Sequence, residues 1–258
     1  RKNYHVSLGS LGERTRSKMK ANILILSLSV PLAAVAQTLC GQYSSNTQGG
    51  YIFNNNMWGM GSGSGSQCTY IDKVWAEGVA WHTDWTWSGG ENNVKSYPYS
   101  GRELGTKRIV SSIKSISSGA DWDYTGSNLR ANAAYDIFTS ADPNHPTSSG
   151  DYEVMIWLGR YGGVYPIGNS VGTVRAAGRD WALHIGYNGA MKVFSFVAAN
   201  PVTRFDGEIM DFFYLLRDMQ GYPMTSQYLL TLQFGTEPFT GSGAKFNCWY
   251  FGATLSYW

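Results

Sequence analysis

The feature that most constrains the fold is a repeated alternation of apolar and polar residues in short runs between clusters of Gly, Ser and Asn. Residues 81–87, for example, place three tryptophans on one face of an extended strand. Glycine-rich clusters at 61–65, 88–90 and 188–189 separate such runs. Many short strands with regular turns are typical of a β-sandwich or jelly roll.

This pattern predicts an all-β fold, a sandwich of two antiparallel sheets. The predicted strands are 81–87, 127–138, 152–158, 181–185, 191–198, 228–234 and 245–258. One segment differs, because Ile209, Phe212, Phe213, Leu216 and Met219 form a single apolar stripe at helical spacing. The sequence therefore predicts one packed α-helix over about 206–220, with Asp206 as its N-cap and Gly221 just beyond its end.

The N-terminal region has the pattern of a secretory signal peptide. Met19 and Lys20 precede an apolar run that ends in Ala34-Val35-Ala36, and the run is short for a membrane helix, which needs about 20 residues. A membrane anchor or a buried helix is the alternative. We predict an upstream, non-native extension over 1–18, a signal peptide over 19–36, and a single secreted domain over 37–258.

The composition favours a sugar ligand over nucleic acid. Charged residues make up 15% of the chain and aromatic residues another 15%, with 31 Gly and 10 Trp. Such a chain is neither disordered nor a coiled coil. The net charge of +2 gives little support to nucleic-acid binding, and residues 37–258 alone hold 14 basic and 17 acidic residues, a net charge of −3. Aromatic, charge-poor surfaces suit polysaccharides, so we expect neither a nucleic-acid nor a membrane partner.

The three cysteines predict one disulfide. Export permits disulfides, and Cys40 and Cys68 are close enough in sequence to join the first strands. Cys248 lies in an apolar strand and is expected to be a buried, inert thiol. The spacing of the Cys and His residues suggests no metal site, and we expect no cofactor.

Cleavage of a glycosidic bond needs two carboxyl groups, and two glutamates interrupt apolar strand sequence. Strand alternation places Glu153 on one face with Met155 and Trp157. Glu237 ends another apolar strand, and an aromatic setting would raise its pKa, as a general acid requires. Asp136 is a third carboxyl within a strand and could share a proton with a neighbouring Glu.

Two other interpretations remain open from this pattern alone. The strand carboxylates could pair with Arg130, Arg160 or Lys192 on a solvent-exposed face. The carboxyls that alternate with tryptophans are also not excluded as catalytic groups: Asp84, Asp121 and Asp123.

A set of motifs spans nearly all of 37–258. The motifs are Asn54-Asn55-Asn56-Met57-Trp58-Gly59, Trp81-His82-Thr83-Asp84-Trp85, Asn92-Asn93-Val94-Lys95-Ser96-Tyr97, Arg130-Ala131-Asn132-Ala133-Ala134-Tyr135-Asp136, Gly150-Asp151-Tyr152-Glu153-Val154-Met155-Ile156-Trp157-Leu158, Tyr187-Asn188-Gly189, Asp211-Phe212-Phe213 and Gly235-Thr236-Glu237-Pro238-Phe239-Thr240-Gly241. Taken together they resemble glycoside hydrolase family 12, which comprises secreted jelly-roll endoglucanases with a concave substrate cleft.

The resemblance implies a retaining mechanism with three named carboxyls. Glu153 would be the nucleophile, Glu237 the acid/base and Asp136 the group that supports the nucleophile. In a retaining enzyme the two catalytic carboxyls lie about 5–5.5 Å apart.

The resemblance also implies a set of sugar-binding residues. Asn56 and Trp58 would bind sugar on the non-reducing side, and Met155 and Trp157 would line the cleft under a loop over 162–168. Family members often carry a Trp shortly after the position of Cys40. Here Tyr43 takes that place and is the predicted outermost sugar contact.

We therefore predict a monomeric, secreted endo-β-1,4-glucanase that acts on cellulose and related β-glucans. A xyloglucan-specific endoglucanase is the alternative within the same class. A non-catalytic carbohydrate-binding or cell-wall-loosening protein is the alternative from a different class, because a fold does not by itself establish catalysis.

Overall fold

The computed structural model describes residues 1–3, 5 and 37–258, so the predicted signal peptide and most of the predicted extension lie outside the described residues. The strands are β1 (Gln37–Leu39), β2 (Ser45–Gln48), β3 (Tyr51–Asn54), β4 (Ser64–Trp75), β5 (Gly78–Ser88), β6 (Tyr99–Arg102), β7 (Arg108–Ile109), β8 (Ile113–Ser140), β9 (Tyr152–Tyr161), β10 (Asn169–Ala176), β11 (Arg179–Asn188), β12 (Met191–Ala198), β13 (Arg204–Glu208), β14 (Tyr228–Leu229), β15 (Gln233–Gly235) and β16 (Pro238–Tyr257). One α-helix, α1 (Met210–Gln220), occurs in this part of the chain, together with short 3₁₀ turns at Met60–Ser62 and Val110–Ser112.

Strand pairing builds two layers. The outer sheet consists of β1, β4, β5, most of β16, the first half of β8 and β13. The cleft sheet runs β2, β3, β6, β15, the second half of β8, β9, β12, β11 and β10. Because β8 is 28 residues long and belongs to both layers, the hydrogen-bonded network is continuous. The jelly-roll prediction is confirmed, with one addition: β9 and β12 pair in parallel.

The core fills the space between the layers, and β9 shows how the sequence pattern produces it. Val154, Ile156 and Leu158 are fully buried in that core. The alternate residues of β9 point to the opposite face of the cleft sheet, here called the cleft face. The predicted alternation along this strand is therefore confirmed, and it leaves the even-numbered residues to the core and Glu153 to the cleft face.

The helix begins later than the sequence predicts. Residues 204–208 form β13, and Asp206 pairs with Gly119 of β8, so Asp206 is not the N-cap. The side chain of Glu208 instead accepts hydrogen bonds from the backbone N–H groups of Met210 (2.9 Å) and Ile116 (2.6 Å). Glu208 thereby satisfies one free N–H of the first helical turn and joins the helix to β8.

The rest of the helix prediction matches the structure. Phe212, Phe213 and Leu216 are buried against the core, whereas Met219, the last residue of the stripe, is 59% exposed. Gly221 adopts the left-handed conformation (φ 67°) expected just beyond a helix end. No helix among the described residues is long and apolar enough to cross a membrane.

Two further predictions concern strand 228–234 and the cysteines. The strand is interrupted after Leu229 and resumes at Gln233, because its two parts pair with β8 in registers that differ by one residue. At the interruption the backbone N–H groups of Leu230 and Thr231 both donate to the Phe138 backbone oxygen. Cys40 and Cys68 form the predicted disulfide. Cys248 is free and buried, as expected.

Candidate active site

The cleft face brings together side chains from neighbouring strands of the cleft sheet. Glu153, Met155 and Trp157 project from β9, and Ala134 and Asp136 project from β8. Asp136 pairs with Met155 across the two strands, so its carboxyl lies beside the first half of β9. Two of the three predicted catalytic carboxyls therefore lie on adjacent strands of one sheet.

A hydrogen bond between the carboxyls of Asp136 and Glu153 raises the pKa of Asp136 and lowers the pKa of Glu153. Both side chains are nearly inaccessible to solvent, at 6% and 9% exposure. Burial raises the pKa of Asp136 well above its ordinary value, and the negative charges of Glu153 and Glu237 raise it further. Burial also raises the pKa of Glu153 to about 7, but the hydrogen bond that Asp136 donates opposes this rise. Glu153 is thus the member of the pair that ionises.

Glu237 lies in the turn between β15 and β16, close enough for its charge to interact with the carboxyls of Asp136 and Glu153. Burial raises its pKa to about 8, the charge of Glu153 adds to the rise, and a hydrogen bond from the Asn132 side chain opposes it. The environment therefore favours a protonated Glu237 next to an ionised Glu153. This is the division of roles that an acid and a nucleophile require.

Tyr97 is a fourth polar group beside the carboxyls, and none of the sequence predictions gives it a role. Its hydroxyl donates to the backbone oxygen of Ala134 (3.0 Å), and the residue is buried. Burial and the charges of all three carboxyls raise the pKa of Tyr97 well above its ordinary value. Tyr97 ends the motif over 92–97, and that position is the sequence signal that could identify it.

Asn56 lies beside Tyr97, in the segment between β3 and β4 that also carries Trp58. The backbone N–H of Tyr97 donates to the Asn56 backbone oxygen (2.9 Å), and the Asn56 side chain donates to the Tyr97 backbone oxygen (3.1 Å). Asn56 has a positive φ of 39°. Trp58 is 53% exposed, which leaves its ring free to stack on a ligand.

Tyr43 is exposed in the turn between β1 and β2. Its neighbours hold that turn against the segment that carries Asn56, because Met57 N–H donates to Gln42 O (2.8 Å) and Asn55 N–H donates to Ser44 O (3.0 Å). The structure therefore places Tyr43 beside the Asn56–Trp58 segment.

Met155 and Trp157 form the floor of the cleft face. They pack with Val164, Val197 and Phe239, and they are only 5% and 2% exposed. The indole N–H of Trp157 points to the sulfur of Met155 (3.4 Å). Val164 belongs to the loop predicted to cover the cleft, so this contact anchors the loop to the floor.

The alternative partners of the strand carboxylates are engaged elsewhere. Arg130 donates to backbone oxygens of Glu91 and Gly162 and to the Asn92 side chain, and Arg160 donates to the Val164 backbone oxygen. Lys192 lies over the ring of Phe194. Among the described residues, no ion pair involves Glu153 or Glu237.

The remaining carboxyl candidates lie on the outer sheet, away from the cleft face. Asp84 lies near Lys245 and His82, and Asp121 binds Arg204. Asp123 accepts hydrogen bonds from Asn247 and Trp249. Within the described part of the chain, no group of three His, Cys, Asp or Glu side chains could hold a metal ion.

The sequence and the fold of this chain are similar to those of known proteins. The family described as Glycosyl hydrolase family 12 matches residues 49–256. Endoglucanase 3 of Trichoderma harzianum, a solved structure from that family, superimposes with a TM-score of 0.84 at 51% identity. The match covers 86% of this chain and 99% of that one.

Curated relatives carry three kinds of name. Endoglucanase A of Aspergillus kawachii is 49% identical, covering 83% of this chain and 91% of the relative. A protein of Aspergillus fumigatus named probable xyloglucan-specific endo-β-1,4-glucanase A is 42% identical, covering 89% and 96%. A protein of Phytophthora nicotianae named inactive glycoside hydrolase XLP1 is 40% identical, covering 92% and 100%.

Proposed function

Because this chain belongs to glycosyl hydrolase family 12 and is a glycoside hydrolase, we propose that it is a secreted endo-β-1,4-glucanase that cleaves internal bonds of β-glucans with retention of configuration. The observation that carries the proposal is the group of three buried carboxyls on the cleft face. Their surroundings favour ionised Glu153, protonated Asp136 and protonated Glu237 at the same pH.

The proposed reaction has two steps. Glu153 attacks the anomeric carbon, and the bond to the leaving oxygen breaks as Glu237 gives that oxygen its proton. Glu237, now ionised, removes a proton from a water molecule, which attacks the same carbon and releases Glu153. Asp136 donates its hydrogen bond to Glu153 throughout, which holds the nucleophile in place and lowers its pKa.

We assign the sugar contacts to residues on either side of this centre. The exposed ring of Trp58 would stack on a pyranose, the side chain of Asn56 would meet its hydroxyls, and Tyr43 would add an outer contact. Met155 and Trp157 support the sugar from below as the buried floor of the cleft face.

Cellulose and mixed-linkage β-glucan are the proposed substrates, with xyloglucan as the second candidate. The endoglucanase relative at 49% identity favours the first assignment, whereas the relative at 42% supports the second by its name. Differences in substrate preference rest on a few cleft contacts worth about 1–3 kcal/mol each.

Secretion, cleavage of residues 19–36 and action as a monomeric single domain over 37–258 are also proposals. The Cys40–Cys68 disulfide supports export, because such bonds persist in oxidising compartments. Residues 37–258 lie within one compact unit, which supports a single catalytic domain.

The test is release of reducing ends by the purified protein on carboxymethylcellulose, barley β-glucan and xyloglucan, with Glu153→Gln as the control. We expect release from the first two substrates, slow release from xyloglucan and none by the variant. Release from xyloglucan alone would support the second candidate. No release by folded protein would contradict the enzyme assignment, and the relative named inactive makes binding to insoluble glucan the next measurement in that case.

A further inference from the structure

Asn132 and Glu237 are joined by two hydrogen bonds that run in opposite directions. Neither Asp136 nor Glu153 has such a pair of bonds with an amide side chain. The Asn132 amide N–H donates to Glu237 Oε2, and the Glu237 backbone N–H donates to Asn132 Oδ1 (2.7 Å). The backbone N–H of Asn132 also donates to the Glu237 backbone oxygen (3.3 Å). One asparagine therefore fixes both the backbone and one carboxyl oxygen of the same glutamate.

A series of hydrogen bonds between three further residues holds the backbone of Asn132 in place. The Thr236 hydroxyl donates to the Asn132 backbone oxygen, and the Tyr124 hydroxyl lies 3.1 Å from the Thr236 hydroxyl. The indole N–H of Trp85 donates to the Tyr124 hydroxyl (2.7 Å). Asn132 and Thr236 are completely buried, so these bonds have no competition from water.

We propose that Asn132 is a positioning residue that selects the carboxyl oxygen from which Glu237 delivers its proton. An amide N–H donor keeps Oε2 as an acceptor, so the transferable proton is carried by Oε1. The Thr236–Tyr124–Trp85 chain, here called the brace, keeps the amide in that orientation. This inference rests on the proposed function, because it assigns Glu237 as the acid/base.

The same bond serves both steps of the reaction. In the first step it presents the proton-bearing oxygen to the leaving group. In the second step Glu237 is ionised, and the bond from Asn132 becomes charge-assisted and therefore stronger. Loss of Asn132 should therefore slow the reaction most for substrates whose leaving group must be protonated as it departs.

The experiment measures the hydrolysis of two aryl β-cellobiosides by the full chain and by its Asn132→Ala variant. The 2,4-dinitrophenyl leaving group departs with little protonation, whereas the 4-nitrophenyl group benefits from an acid. We expect kcat/KM for the 4-nitrophenyl substrate to fall by about 10²-fold, within the usual contribution of general acid catalysis, with a much smaller fall for the dinitrophenyl substrate. We also expect the alkaline limb of the pH profile to move to higher pH, because the bond from Asn132 lowers the pKa of Glu237.

Asn247→Ala is the matched control, since Asn247 donates a similar amide hydrogen bond to Asp123 Oδ1 (2.7 Å) on the outer sheet. It should leave the ratio of the two kcat/KM values unchanged. Thr236→Val tests the brace independently and covers the case in which Asn132→Ala does not fold. Thr236→Val should show the same selective loss, and Thr236→Ser, which keeps the hydroxyl, should restore the ratio.

Equal losses on both substrates, or no loss, in Asn132→Ala and Thr236→Val would overturn the positioning role. A wild-type protein inactive on both substrates and on β-glucan would instead overturn the proposed function. The two failures are therefore distinguishable in one set of assays.

Discussion

At the scale of single residues, the three carboxyls of the cleft face differ because their neighbours differ. Burial and the charges of Glu153 and Glu237 raise the pKa of Asp136, whereas Glu153 receives a hydrogen bond from Asp136 that favours its ionised form. Burial and the charge of Glu153 raise the pKa of Glu237 to about 8. Burial raises all three pKa values, and the specific partners separate the roles.

Trp58 offers a residue-scale test of sugar binding. Its ring is 53% exposed and contributes no proton transfer, so Trp58→Ala should raise KM strongly while kcat falls less. Glu153→Gln should abolish kcat with little effect on substrate binding. Binding can be measured by titration of cellotetraose into the Glu153→Gln protein with and without Trp58→Ala. Equal affinity of the two proteins would show that Trp58 does not bind sugar.

At the scale of secondary-structure elements, local patterns are predictable from the sequence and long-range pairings are not. The alternation along β9 is sufficient by itself to place Glu153 on the face opposite the core. The predicted start of α1 is wrong because β13 pairs with β8, about 90 residues earlier in the chain, and Glu208 caps the helix through that contact. No local signal reports such a pairing.

The same distinction applies to the site. Asn132, like Ala134 and Asp136, occupies every second position of β8, so the sequence predicts that the three residues lie on one face. Its partner Thr236 is 104 residues away along the chain, and only the folded sheet brings them together. The brace is therefore beyond prediction, although Tyr124 and Trp85 lie in strands and Thr236 lies in the turn between β15 and β16.

The Cys40–Cys68 disulfide joins the turn after β1 to β4. The same turn accepts hydrogen bonds from the side chain of Asn55 and the backbone of Met57, next to Trp58. Replacing both Cys40 and Cys68 by Ser should lower the free energy of unfolding by about 3 kcal/mol, because the bond closes a loop of 28 residues. Urea unfolding measures this loss. Unfolding of the unsubstituted protein in the presence of a thiol reductant is the control, because it opens the same bond without a change of sequence. An unchanged unfolding midpoint in the double variant would contradict the prediction.

At the scale of the whole molecule, the buried carboxyls make stability depend on pH in a defined direction. The pKa of Glu237 is about 8 in the folded protein and 4.5 for an ordinary glutamate, so the folded state binds this proton more tightly than the unfolded state. The resulting stabilisation is fully present below pH 4.5 and is lost as pH rises through 8. Glu153 acts in the same direction, because its pKa is raised to about 7.

Replacement of Glu237 by Gln should therefore stabilise the protein at neutral and alkaline pH while it abolishes acid catalysis. Each unit of pKa shift corresponds to about 1.4 kcal/mol, so we expect a gain of at least ~1 kcal/mol at pH 8, or roughly 2–4 °C in Tm for a domain of this size. At pH 4.5, where a carboxyl and an amide are both neutral in the folded state, the gain should vanish. Thermal unfolding from pH 4.5 to 8 measures this difference, with the exposed Glu103→Gln as control. A Tm difference that does not grow with pH would mean that the charge of Glu237 costs the fold nothing, and that its environment is not the one an acid catalyst needs.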